Sequence, residues 1–184
     1  KALSDERGAD TETALQRGQL IHLLLEHLPA RPESDWPVLA TQLLSPINQA
    51  CGSVDTAALL SEATALLTKP DLRRIFTTEA LAEVDVSADL PSLGGRRIHG
   101  TIDRLMIDKA EVLAIDFKSN VAVPSEVAHC PEGILRQMAA YAEALQQIYP
   151  DHKITMAILW TKTATLMSLP DRLLSDALSR ADVS

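Results

Sequence analysis

Aromatic side chains are nearly missing from this chain: two Trp, two Tyr and two Phe among 184 residues. A core of stacked rings is therefore excluded, and aliphatic side chains must fill most of the interior. Cysteine is equally scarce. Cys51 and Cys130 are too few and too far apart for a four-thiolate cluster or a zinc knuckle, which leaves two buried thiols or one disulfide. No apolar run reaches the ~20 residues of a membrane span and no secretory signal is legible, so a soluble, cytoplasmic chain is expected. Cations are outnumbered: 17 Lys and Arg against 25 Asp and Glu give a net charge of −8. That balance disfavours a free-standing nucleic-acid binder held by a broad basic face. It leaves room for an enzyme that gathers acids around cations and receives its substrate from a partner.

The length suits one domain with a proper core. Lys1 opens a polar stretch, read as a disordered or linker start over 1–12 of a domain cut from something longer. The remainder, 13–184, is expected to be one domain, with a helical part over 13–77 and a strand-containing core over 78–184.

Apolar spacing at Leu15, Ile21, Leu24, Leu25 and Leu28 predicts a helix from Thr13, closed by Pro29. Ser34 can cap a second helix reaching about Leu44, with Pro37 in its first turn. Ser53 or Asp55 starts a third, which stops before Pro70, and a short helical piece over Asp71–Phe76 follows. The texture then changes. Glu79–Leu90 and Arg97–Ile107 read as strands separated by Pro91 and Gly94-Gly95, and Asp108-Lys109-Ala110 turns the chain into Glu111–Lys118. A helix over about Pro131–Tyr149, strands at Lys153–Thr161 and Thr163–Leu169, and a helix opened by Pro170 complete the order. The expected class is a mixed α/β (α+β) fold with an antiparallel three-strand meander, further strands, and an N-terminal helical region.

The central hairpin carries the chemistry. A turn centred on Lys109-Ala110 sets Ile107 opposite Val112 and, counting back, Asp103 opposite Asp116. Directly opposed side chains lie about 4.5–5.5 Å apart at Cβ, and Lys118, two residues on, projects from the same face as Asp116. Opposed like charges destabilise a strand pair unless something compensates. A divalent cation between them would do so, and an oxygen-rich donor set suits Mg²⁺ or Mn²⁺. A one-residue slip would instead put the two acids on opposite faces, as ordinary solvent-facing residues.

The ordered segments "LGGRRIHGTIDRL", "AIDFKSN", "ILRQMAAYAEAL" and "ILWT" resemble PD-(D/E)xK (restriction-endonuclease-like) nucleases. Taken together they also resemble the C-terminal nuclease domains of bacterial AddA-type helicase–nucleases, relatives of the RecB nuclease. The likeness spans roughly Gly18 to Asp171, with Ile102 standing where the pattern has its proline. It implies a metal held by His22, Asp103, Asp116 and the carbonyl of Phe117, with Lys118 beside it. Gly18, one turn before His22, would let another backbone approach. His22 could equally be a half-buried structural histidine, and His27, His99, His129 and His152 lack even that support.

Gln137 and Tyr141, one helical turn apart, match family positions that would orient Lys118, the attacking water or the DNA backbone. Packing accounts for them as well, through a buried stripe of Met138, Tyr141, Leu145 and Ile148. Glu83, or less favourably Glu79, sits where related nucleases often carry an acid, and Arg104 and Arg136 are candidate phosphate contacts. The resemblance further implies a Mg²⁺-dependent exonuclease acting on single-stranded DNA during double-strand-end resection and recombinational repair. Its partners would be DNA, a helicase portion of the same polypeptide and an AddB-like subunit. The four cysteines that frame an iron–sulfur cluster in some relatives are lacking. A catalytically inactive module for DNA guiding or subunit docking is the alternative.

Overall fold

The computed structural model describes residues 2–51, 55–119 and 122–181, with side chains over 15–47, 55–119 and 122–180. The chain divides into two units. One comprises Lys1–Thr78, Phe117–Val121 and Trp160–Thr165; the other comprises Glu79–Asp116, Ala122–Leu159 and Leu166–Ser184.

In the first unit three helices, α1 (Ala2–His27), α2 (Trp36–Cys51) and α3 (Thr56–Thr68), pack on one another. The buried stripe of α1 is Leu20, Ile21, Leu24 and Leu25, continued by Leu28 just past its end. Leu15 does not join it and is 65% exposed, because nine residues at 3.6 per turn place it about 180° from Leu24. The segment 2–12, where a linker start is expected, has helical backbone; it contains no proline and several good helix formers. Trp36 Nε1 donates to the carbonyls of Leu28 (2.8 Å) and Arg31 (3.0 Å), tying the end of α1 to the start of α2.

α2 continues past the expected stop at Leu44 and carries Pro46 within it. The bias of a pre-proline residue against helix is a tendency, and here buried Ala40 and Leu44 anchor the helix on its neighbours. Asp55 caps α3 by accepting from Ala58 N at 2.9 Å. Ser53, the other candidate start, lies outside the described residues, as does the side chain of Cys51. The short piece before the strands is a 3₁₀ turn, Arg73–Phe76.

The sheet contains β1 (Leu81–Leu90), β2 (Arg96–Ile107), β3 (Glu111–Lys118), β4 (Lys153–Trp160) and β5 (Thr165–Leu169), in that spatial order. β1, β2 and β3 form the expected antiparallel meander. Its tight turn is an Asx turn: Asp108 Oδ1 accepts from Ala110 N (2.9 Å) and Glu111 N (2.8 Å). The β1–β2 connection uses Gly94 and Gly95 at φ +64° and +79°, a region only glycine enters without strain.

Lys153 N donates to Ala110 O (2.8 Å) and Thr161 N to Lys118 O (3.0 Å). The same chain offset holds at both ends, so β4 runs parallel to β3. A parallel neighbour requires a crossover, and α4 (Glu132–Ile148) supplies it. The result is a mixed sheet and a mixed α/β class.

α4 buries Leu135, Met138, Ala139, Tyr141, Ala144 and Leu145, whereas Ile148, expected in that stripe, is 52% exposed at the last turn. α5 (Asp171–Ala181) packs along α4 through Leu174 and Ala177. Arg180 clamps Glu132 with two bonds of 3.0 Å. Cys130 is a buried thiol just before α4. Among the described residues no helix is long and apolar enough to cross a membrane.

Candidate active site

The site begins with a register. Ile107 faces Val112 and Arg104 faces Ile115, so one residue further along Asp103 stands opposite Asp116. Both lie in the second unit and both are buried, at 8% and 4% exposure. Their neighbours Ile102, Leu105, Ile115 and Phe117 are buried too, so the two strands are covered on both faces at this level. Desolvated carboxylates are costly unless a counter-charge or hydrogen bonds offset them. The sequence spends two of them on adjacent central strands.

A third acid joins the row. On β1 the register passes from Ala82 opposite Arg104 to Val84 opposite Ile102, which sets Glu83 level with Asp103. Glu83 itself has φ +50°, one of two non-glycine residues with positive φ among the described residues. Its carboxylate and that of Asp103 come within 4.8 Å of each other. A left-handed residue inside a strand is strained. Here that turn accompanies an acidic side chain brought beside a buried acid. Glu83 thus stands closer to the chemistry than its sequence context implies, while Glu79 precedes the strand.

Gln137 and Tyr141 are both in the second unit, on α4. Tyr141 is 7% exposed, and Gln137 Nε2 donates to its hydroxyl at 3.2 Å. Packing and orientation therefore coexist in Tyr141: the ring is core and the hydroxyl is an acceptor. Gly100, three residues before Asp103, makes room for that ring. A Cβ at Gly100 would lie 2.6 Å from Tyr141 Cε1 and 2.7 Å from Cζ, far inside contact distance.

Of the two arginines read as candidate phosphate contacts, Arg104 is buried at 4% exposure. Flanked by Ala82 and Ile115 in the sheet, its side chain is taken into the interior. Arg136 is paired with Glu132 at 3.3 Å.

The remaining predicted residues belong to the first unit: His22 on α1, with Phe117 and Lys118 at the end of β3. His22 and Phe117 meet edge to face, centroids 5.6 Å apart at 76°, and Phe76 packs on Phe117 from 5.9 Å. The close approach expected at Gly18 is made by a side chain. A Cβ there would lie 2.6 Å from Ser119 Oγ. Glycine thus lets α1 sit against the residue that follows Lys118, and the His22 ring lies on the residue that precedes it.

Buried Asp103, with the exposed Glu83 carboxylate within 4.8 Å of it and buried Asp116 on the neighbouring strand, offers hard oxygen donors of the kind that Mg²⁺ and Mn²⁺ select. An amine two residues beyond one of them adds a cation for an anionic substrate. This is the composition of a phosphodiesterase site, set in a mixed sheet with an antiparallel meander.

The chain belongs to the PD-(D/E)XK nuclease superfamily, whose family model matches residues 2–172. That membership fits the restriction-endonuclease-like fold class and implies a nuclease that acts on DNA, generally with a divalent metal. Among curated proteins nothing matches. A crystal structure of SSO0001 is similar over 86% of this chain and 73% of that one, at 18% identity and a TM-score of 0.37.

Proposed function

We propose that this chain is the Mg²⁺-dependent exonuclease domain of an AddA-type helicase–nuclease. It would hydrolyse single strands during resection of double-strand ends for recombinational repair. The observation that carries the reading is the burial of Asp103 and Asp116 opposite one another in the β2–β3 register, with the Glu83 carboxylate alongside. A divalent cation is the counter-charge that would suit such a set of acids.

In this reading Asp103 and Asp116 hold the metal, with His22 and the carbonyl of Phe117 completing the set; Mn²⁺ can replace Mg²⁺. A bound ion would supply Lewis acidity toward a phosphoryl oxygen and a water. Lys118 donates a hydrogen bond to the attacking water and offsets the negative charge that builds on phosphorus. Tyr141, steadied by Gln137, orients the DNA backbone or Lys118. The net charge of −8 is accommodated if the helicase portion of a longer polypeptide and an AddB-like subunit form the basic channel that delivers the strand.

The test is a nicking and degradation assay on single-stranded DNA with Mg²⁺ or Mn²⁺, comparing wild type with Asp116→Ala and Lys118→Ala. Wild-type cleavage that Asp116→Ala abolishes and Lys118→Ala lowers to a small, still measurable rate supports the reading. Inertness of the wild type, alone and within the helicase complex, would refute it and leave a docking or DNA-guiding module.

A further inference from the structure

In the first unit Glu62, on α3, has a side chain only 13% exposed and both carboxylate oxygens engaged. Oε1 accepts from Thr161 Oγ1 at 3.1 Å, and Oε2 from Arg17 Nη2, with Lys162 Nζ at 3.7 Å from the same oxygen. These partners lead to one place by two routes. Thr161, itself 2% exposed, donates its backbone N–H to the carbonyl of Lys118 at 3.0 Å. Arg17 precedes Gly18, whose missing Cβ receives Ser119 Oγ, and Ser119 is the residue after Lys118. The circuit closes: Lys118 to Thr161, Thr161 to Glu62, Glu62 to Arg17, Arg17 through Gly18 to Ser119, and so back to Lys118. Glu62 thus bears on the Lys118 carbonyl through Thr161, and its other partner Arg17 is the chain neighbour of the glycine against which Ser119 lies.

We infer that Glu62 is a positioning residue for Lys118, fixing the backbone from which its amine reaches the reacting phosphate. The inference rests on the nuclease reading for what Lys118 does, but the grip itself is a property of α1, α3 and the segment after β4. A charged, nearly buried carboxylate accepting from an arginine and a hydroxyl makes strong, directional bonds. It also sits in a helix whose other inward residues, Leu59, Ala63 and Leu66, are apolar. Packing alone would favour another leucine there. A misplacement of a reacting group by about 1 Å costs on the order of a hundredfold in rate.

The experiment uses three substitutions in the full 184-residue chain. Glu62→Gln keeps the shape and loses the charge, Thr161→Val removes only the hydroxyl, and Arg17→Gln weakens the other arm. Two readouts are taken for each. Amide hydrogen exchange should show the Thr161 N–H, bonded to Lys118, losing protection roughly tenfold in Glu62→Gln and Thr161→Val. Amides on α5 should stay unchanged. In the DNA assay kcat should fall about tenfold to a hundredfold with KM for DNA unchanged, and Glu62→Gln should add nothing to Lys118→Ala. Unchanged Thr161 protection in all three variants would overturn the inference, whatever the activity. So would an effect of Glu62→Gln that multiplies with that of Lys118→Ala. Altered protection with a wild type that cleaves no DNA, either alone or within the helicase complex, would leave the Glu62 contacts standing and remove the nuclease reading instead.

Discussion

Replacing Asp103 by Asn should stabilise the metal-free protein while abolishing its activity. Asp103 stands opposite Asp116 in the β2–β3 register and within 4.8 Å of the Glu83 carboxylate. At the roughly 5 Å Cβ spacing general for directly opposed strand residues, two unit charges would repel by about 3 kcal/mol at an effective dielectric near 20. The Glu83 contribution is smaller, because Glu83 is exposed and solvent screens it. Exchanging a carboxylate for an amide forfeits hydrogen bonds to the charged form, about 1.5 kcal/mol. The net gain without metal is then about 1–2 kcal/mol, or roughly 3–6 °C in melting temperature for a chain of this length.

Magnesium should invert the order. A ligand at a hundred times its Kd stabilises the native state by about 2.7 kcal/mol, a gain open to the wild type and closed to Asp103→Asn. The assay is a pair of thermal melts, one in EDTA and one in millimolar Mg²⁺, with DNA cleavage measured alongside. Two results together would refute the reasoning: a variant that melts below wild type in EDTA, and a wild type whose melting temperature ignores Mg²⁺. They would mean that the acids are held by the protein's own groups and wait for no cation.

Gly100→Ala should cost about 1–3 kcal/mol, since its Cβ would overlap the Tyr141 ring; a denaturant melt checks this, and Tyr141→Leu in the same chain should recover much of the loss. Gly18→Ala should be destabilising through Ser119 Oγ at 2.6 Å, and Ser119→Gly should relieve it, a non-additivity that a double-mutant cycle reads directly. The Arg180 hydrogen bonds hold the Glu132 carboxyl below its ordinary range, with Arg136 assisting, and Glu132 in turn raises Arg180. A lowered carboxylate contributes stability that is fully present above the ordinary glutamate value and is lost as pH falls through the lowered one. The α4–α5 clamp should therefore weaken only on the acid side, and Arg180→Leu should flatten that part of the pH–stability curve.

The elements most legible in the sequence were those whose signals were local. Glu111–Lys118 has the bounds its turn and alternation predict, because Asp108 supplies an Asx turn that fixes the register by itself. The opposition of Asp103 and Asp116 follows from that turn by counting. Elements governed by tertiary contacts were less legible. α2 runs through Pro46, where local rules would stop it, and Leu15 falls off a stripe whose other members are buried. Arg104 looks like a surface cation until the sheet closes over it.

Glu83 marks the boundary between the two kinds of information. Its acidic type is visible in the sequence, but an acid in a half-exposed strand is ordinary, and strict alternation sets no preference for it over Asp85 or Asp89. What distinguishes it is a backbone at φ +50°, which no propensity predicts for a glutamate and which costs of order 1 kcal/mol or more unless its surroundings impose it. The same residue interrupts the β1–β2 pairing without shifting its register, since the offset is identical on either side. The strain is therefore confined to one residue, level with Asp103. A fold optimised for stability alone would place glycine there, or a β-branched residue in regular geometry. A positively charged third body shared between a strained acid and a buried acid would help to offset both costs. Strain, burial and charge thus point to the same few ångströms from independent directions.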